Sequence, residues 1–296
     1  MRLLELVYDG GPVLDVVFAA QRAVLADELG DDFDTIDLRR QPTRVRAKVL
    51  RQAAKRSPRK VLIRGVRGLD EAMPFFLKSM FFLDYVSGSD LAEGPRNSLS
   101  KWAYKLSRAF CYSADGQDAL RHAGFGKISA HPGPLLPDLT EEQPNSGRVV
   151  LGLLDVGHGA RRALTSMKKV RRAQAWDYDI VTTLEDPGVL TVDNPFEVVE
   201  GSNLVLCPVD YPDRGQPHEG AILTLAIGRA LCTSRNSGLM GLAYPPGKFI
   251  PAQKYSPGTY ATAYGVYIRD RETYDEWPAQ VQMDPDAVPE EILKRL

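Results

Sequence analysis

Two stretches of this chain concentrate positive charge with no acid to balance it. Arg39–Lys60 holds ten Lys and Arg in 22 residues, and Arg161–Arg172 holds six in 12. Cations at that density bind polyanions or stabilise charge developing on a phosphate. Small-residue turns stand where apolar strand-like runs give way to helical patterns: Asp9-Gly10-Gly11, Asp155-Val-Gly157-His-Gly159 and His218-Glu219-Gly220. Glycine there lets a ligand approach the backbone N–H groups at the start of the next helix, where the helix dipole favours negative charge. Arg161, Arg162 and Lys168 follow the second turn and could reach a bound phosphate. Two carboxylates flank the turns. Asp9 could accept a proton from a hydroxyl, or simply cap a turn. Glu219, with His218 and Gly220, could hold ligand hydroxyls, or serve only as a first-turn acid.

The first basic run carries a second pattern. Arg44, Lys48, Arg51 and Lys55 are spaced by 4, 3 and 4 and share one helix face, opposite an apolar stripe of Val45, Val49 and Ala53 with Leu50 beside them. Like charges on one face destabilise a helix by a few tenths of a kcal/mol per pair, so such a face is best explained by a polyanionic partner. Nucleic acid and an anionic bilayer both qualify. Membrane docking should add large apolar side chains to the cationic face; the spacing predicts none, which favours nucleic acid. Arg64 and Arg67, placed in a loop after the third strand, would extend that surface. The helix expected over Ser98–Arg108 adds Lys101, Trp102, Tyr104, Lys105 and Arg108, a mixture that could flank an extruded base, although Trp102 reads more simply as the packed side of an amphipathic helix.

The elements that must position these residues alternate along 296 residues, of which 44% are hydrophobic and 25% charged. Strands are expected at Leu3–Tyr8, Phe33–Leu38, Lys60–Ile63, Phe81–Val86 and Phe110–Ser113, with helices between them. The pattern pauses in the proline-rich stretch His131–Gly147 and restarts with strands at Val149–Leu154, Asp179–Thr183, Leu204–Pro208 and Leu231–Thr233. Such alternation implies an α/β chain with two doubly wound, Rossmann-like parallel sheets facing a central cleft. The expected domains are 1–140, on the acceptor side, and 141–270, with 271–296 a terminal helix that could cross back to the first. Cys111, Cys207 and Cys232 lie far apart and the four histidines show no ligand spacing, so neither a disulfide framework nor a metal site is expected. No apolar run approaches the ~18 residues of a membrane span, and the start lacks secretory character. A cytoplasmic location is the expectation.

This order of elements and turns resembles the two-domain GT-B glycosyltransferases over most of residues 1–240. The glycine turn before the first long helix carries the resemblance, as do Phe110-Cys-Tyr-Ser113 with Ile128–Leu136 leading to the hinge. So do Asp155-Val-Gly157-His-Gly159 before a basic helix and Asn203-Leu-Val-Leu-Cys-Pro208 before His218-Glu219-Gly220. It departs where many retaining members carry two glutamates eight residues apart, since Leu223 stands where the second would align. The resemblance implies a metal-independent hexosyl transfer from a nucleotide-sugar, a UDP-sugar first, with no resident cofactor. Asp9 and Glu219 would be catalytic. Gly10, Gly11, Gly157, Arg161, Arg162, Lys168, His218 and Gly220 would bind the donor. Charge adds an anionic acceptor, and fold plus charge looks similar to the phage DNA glucosyltransferases that act on hydroxymethylated bases. Arg44, Lys48, Arg51, Lys55, Arg64 and Arg67 would then hold DNA. A peripheral-membrane or polysaccharide glycosyltransferase is the alternative, and a non-catalytic nucleotide- or nucleic-acid-binding protein of the same fold is the third. No protein partner is implied.

Overall fold

The computed structural model describes residues 1–8, 10–75, 79–84, 98–111, 114–130, 136, 139, 141–142, 144, 147–155, 158–208, 218–234, 249–252, 257–275 and 286–296. Two compact units result: Met1–Pro132 with Pro285–Leu296, and Gly133–Asp213 with Pro217–Asp284.

Unit 1 holds β1 (Leu3–Val7), α1 (Pro12–Leu29), β2 (Phe33–Asp37), α2 (Thr43–Lys55), β3 (Lys60–Arg64), α3 (Arg67–Glu71), β4 (Met80–Asp84), α4 (Ser98–Leu106), β5 (Arg108–Cys111), α5 (Ala114–His122) and β6 (Lys127–Ala130). Its sheet runs in the order β2-β1-β3-β4-β5-β6 with every neighbouring pair parallel. Strands buried on both faces read as continuous apolar runs, and β1 is buried at all five positions. Leu4, Leu6, Val61, Ile63, Phe81 and Leu83 face a helix layer supplied by α2, α3, α4 and α5. The opposite face is covered by α1, against which α11 (Ala287–Leu293), from the end of the chain, packs.

That opposite face carries a charged network inside the sheet. Arg64, at the end of β3, is 0% exposed. Its Nε donates to Glu5 Oε1 at 2.8 Å and its Nη1 to Gln21 Oε1 at 2.6 Å, while Nη1 also pairs with Asp84 on β4. The guanidinium carbon stands 4.6 Å from the centroid of the Phe18 ring. Glu5 also pairs with Arg22 and accepts from the Thr35 hydroxyl at 3.0 Å. Burial pushes the Glu5 carboxyl up, but Arg64 and Arg22 outweigh it and hold the group below the ordinary range. Arg64 is therefore not part of a basic surface, contrary to the loop placement expected from sequence: β3 extends through it and two buried acids neutralise it.

Unit 2 holds β7 (Val149–Leu153), α6 (His158–Ala173), β8 (Tyr178–Thr182), β9 (Leu190–Thr191), α7 (Pro195–Glu200), β10 (Leu204–Cys207), α8 (Glu219–Ile227), β11 (Ala230–Ser234), β12 (Phe249–Ala252), α9 (Pro257–Arg269) and α10 (Arg271–Asp275). The sheet order is β12-β11-β10-β7-β8-β9, again all parallel. α6 and α9 pack together over one face through Ala160, Ala163, Met167, Ala261 and Tyr267. α8 is buried along its length from Gly220 to Ile227. Arg229, itself buried, donates to the carbonyls of Glu141 at 2.8 Å, Glu142 at 2.9 Å and Glu200 at 3.1 Å, fastening the incoming chain to the foot of β11.

Several elements depart from the sequence reading. Where a helix is expected between the third and fourth strands stand the short α3 and a 3-10 turn at Met73–Phe75, because Pro74 removes an N–H and clashes with the preceding turn. Strands β6 and β12 and helix α9 escape the pattern. β6 reads Lys-Ile-Ser-Ala with exposed ends, too short and too polar to announce itself.

The network yields a stability prediction. Arg64→Ala leaves two buried carboxylates without their shared cation and lowers the unfolding free energy by about 3–5 kcal/mol in urea titrations at neutral pH. Replacing all three charges together, Glu5→Gln, Arg64→Met and Asp84→Asn, costs less than the single change.

Candidate functional site

In an open α/β sheet, ligands bind beyond the carboxyl ends of the strands where the winding direction reverses. In unit 2 that point lies between β7 and β10, since β8 and β9 continue to one side and β11 and β12 to the other. The chain leaving β7 stays paired with β10 through the Leu154 N–H and the Leu206 carbonyl at 3.0 Å. Asp155 then reaches solvent, and α6 begins at His158. From the neighbouring strand, α8 begins at Glu219 with His218 as its N-cap.

His218 fills this role with a ring nitrogen instead of the more usual hydroxyl or carboxylate. Its Nδ1 accepts the Gly220 N–H at 3.1 Å and lies 3.8 Å from Cys207 Sγ. That assigns the ring proton to Nε2. Burial lowers the His218 pKa to about 4, so the cap is neutral at physiological pH. Burial likewise pushes the Cys207 thiol up to about 12, which makes it a packed neutral group. The Thr233 hydroxyl donates to the Cys207 carbonyl at 2.7 Å, tying β10 to β11 behind the cap. Gly220 has a steric role: a Cβ there would come 2.5 Å from Leu154 Cδ1, so a larger residue would have to displace that buried side chain at the end of β7.

The predicted donor-side residues divide. His218, Glu219 and Gly220 stand at the reversal point, and Arg161 and Arg162, the fourth and fifth residues of α6, are exposed, with no ion pair among the described residues. Lys168 does not join them. It lies ten residues along α6, roughly 15 Å from the helix start, where it pairs with Asp186 and donates to the Pro187 carbonyl. Gly157 lies outside the described residues. Gly10 and Gly11 belong to unit 1, where the corresponding reversal falls between β1 and β3. Gly11 caps α1 in extended conformation with Pro12 behind it and no side-chain cap, leaving first-turn N–H groups to other partners. Asp9 lies outside the described residues. Among the described residues no group of three His, Cys, Asp or Glu side chains could hold a metal ion.

Sequence reasoning assigned no role to Arg39. Its guanidinium occupies the space over Gly10 that a Cβ would enter, and it pairs with Asp15 in the first turn of α1 and with Asp37 at the end of β2. These bonds hold Asp37 below, and Arg39 above, their ordinary ranges. The Asp37-Leu38-Arg39 spacing at a strand end was the available signal.

On α2, Arg44, Lys48, Arg51 and Lys55 are exposed and form no ion pair among the described residues, while Arg46 pairs with Glu71 and Arg56 with Asp34. The apolar side is narrower than expected. Leu50 and Ala53 are buried, but Val45 is 46% exposed beside the cations. Only the backbone of Arg67 is described, as the first residue of α3. On α4, Tyr104 is buried and stacked on Phe125 with centroids 4.5 Å apart, whereas Trp102 is 59% exposed, which overturns the packed reading of that residue.

No family model and no curated protein matches the chain. Solved structures match in fold. A sucrose-phosphate synthase from Thermosynechococcus elongatus superposes with a TM-score of 0.71 at 12% identity, covering 100% of this chain and 98% of that one. Anabaena HepE in complex with UDP and glucose gives 0.69 at 12% identity over 100% and 99%. WaaG, a glycosyltransferase involved in lipopolysaccharide biosynthesis, gives 0.64 at 11% identity over 99% of each chain. The fold is the GT-B arrangement of two Rossmann-like domains; at these identities the likeness is one of fold.

The cap supplies a pH prediction. The folded state holds His218 neutral down to about pH 4, whereas an unfolded histidine takes a proton near 6.5. Stability therefore falls with pH between those values as the unfolded chain binds the extra proton. His218→Asn, which can still cap α8, should remove nearly one proton from the slope of unfolding free energy between pH 6.5 and 5, measured by urea titration at stepped pH. The Glu5 contribution enters only lower, in the carboxylate range.

Proposed function

We propose that this protein is a glycosyltransferase that takes a sugar from a nucleotide-sugar, a UDP-sugar first, and delivers it to a hydroxyl on an anionic acceptor. The observation that carries the reading is the pair of helix starts at the reversal point of unit 2, with Arg161 and Arg162 as the fourth and fifth residues of one and Glu219 in the first turn of the other. A diphosphate set against backbone N–H groups and two arginines that form no ion pair among the described residues is stabilised most as charge builds on the departing phosphate. Glu219 is positioned to hold sugar or ribose hydroxyls, and Asp9 is the candidate base if the reaction inverts. The shared fold with HepE, whose structure contains UDP and glucose, supports the choice of donor.

The acceptor reading rests on charge. The four cations of α2 favour a polyanion, and hydroxymethylated DNA was the first expectation. That preference depended on a cationic face lacking exposed large apolar side chains. The exposed Val45 removes that support, and an anionic lipid surface moves ahead of DNA.

UDP in excess should stabilise the protein against heat, by about 2.7 kcal/mol at a hundredfold excess over Kd. Arg161→Ala with Arg162→Ala should reduce kcat/KM with a UDP-sugar by about a hundredfold, whereas Lys168→Ala changes it by little. UDP, GDP and ADP all failing to shift the melting temperature would remove the transferase reading and leave a nucleic-acid-binding protein of the same fold.

A further inference from the structure

We infer that the helix layer of unit 1 docks the protein on an anionic lipid bilayer, with Trp102 and Leu106 of α4 entering the interface between flanking lysines. This inference does not rest on the transferase reading. On α4 the buried positions are Ser100, Ala103 and Tyr104, and the outward ones are Ser98, Lys101, Trp102, Lys105 and Leu106. The four-residue spacing sets Lys101 and Lys105 in one row and Trp102 and Leu106 in the row beside it. Trp102 is 59% exposed and Leu106 44%. An indole this exposed leaves most of its apolar surface in water. At a bilayer surface its ring enters the headgroup region while its N–H stays hydrated.

α2 belongs to the same face. Its Leu50 and Ala53 and the Ala103 and Tyr104 of α4 enter one core against the same side of the sheet, so the outward sides of both helices point away from it. The short segment α3, which packs on α4, and the 3-10 turn, which packs on α2, lie between them. α2 contributes Arg44, Lys48, Arg51 and Lys55 with the exposed Val45. Neither helix contains an acid. Both leave the carboxyl edge of the sheet and run back towards the start of the next strand, so the face begins beside the edge where ligands bind.

Charge alone would suit DNA, and an extruded base could stack on Trp102, but a duplex gives Leu106 and Val45 no apolar surface to enter. A second copy of the chain would bring the same six cations together. An anionic bilayer satisfies both rows at once, its headgroups meeting the cations and its interface taking the apolar side chains. Among the described residues no helix is long and apolar enough to cross a membrane, so the contact is one of surface docking.

The test is sedimentation of the full-length protein with vesicles of phosphatidylcholine alone and of phosphatidylcholine mixed with phosphatidylglycerol, across a salt series. Wild type should bind the mixed vesicles only, and less as salt rises. Trp102→Ser with Leu106→Ser should weaken binding at least tenfold, and each of Lys101→Gln and Lys105→Gln by roughly fivefold. All four positions are exposed, so melting temperatures should stay at the wild-type value. On binding, tryptophan emission should shift to the blue, and Trp102→Phe should abolish the shift. Three results would overturn the inference: no binding to phosphatidylglycerol vesicles, binding indifferent to the Trp102–Leu106 pair, or a duplex DNA oligonucleotide bound at physiological salt while vesicles are not. A wild-type dimer in size exclusion that Trp102→Ser dissociates would overturn it too, in favour of a second copy. The UDP melting shift is read on the same samples and fails or succeeds independently.

Discussion

The buried guanidinium of Arg64 is the constraint on which unit 1 depends. It spans the three central strands, bonded to Glu5 on β1 and paired with Asp84 on β4, while Gln21 on α1 and the ring of Phe18 close over it. A charge so fully enclosed is tolerated only when its partners are held in place. The register Val7↔Arg64↔Asp84 is therefore specified by charge as well as by apolar packing. Arg64 and Asp84 are the last residues of their strands, and the Tyr8 N–H bonds to the Arg64 carbonyl at 2.9 Å. The loops at the reversal point of this sheet thus rise from a fixed platform.

Unit 2 solves the corresponding problem with backbone and a neutral imidazole. His218 caps α8, Gly220 admits that helix against Leu154, and Arg229 ties carbonyls at the opposite edge. Among the described residues Arg161 and Arg162, near the start of α6, form no ion pair, whereas Lys168 further along pairs with Asp186. One unit thus buries charges for order, while the other leaves two arginines exposed near a helix start.

Much of the architecture was legible because parallel strands buried on both faces leave continuous apolar runs, such as Leu3–Val7 and Leu204–Cys207, and helices leave capped, periodic ones. What was missed was short, as with Lys127–Ala130, or lay beyond residue 240 where the apolar pattern is weak. Side-chain fates were harder. Arg64 and Arg44 are the same residue type a few turns apart in the chain, and only the strand's extension by one residue separates a buried structural charge from a surface one. Trp102 and Tyr104 are two residues apart on one helix and end on opposite sides of it, a distinction that depends on which face α4 turns towards Phe125. Arg39 was visible as one more cation in a dense run, and its pairing with Asp15 depends on where α1 lands above β2.

The central claim is that the reversal point of unit 2 receives the diphosphate of a nucleotide-sugar. A crystal structure of the protein grown with UDP tests it most directly. The account predicts the diphosphate at the first turns of α6 and α8, in contact with Arg161 or Arg162 and with backbone N–H groups beside Glu219. Ordered UDP seated elsewhere, such as on the Gly10–Gly11 turn of unit 1, would contradict it.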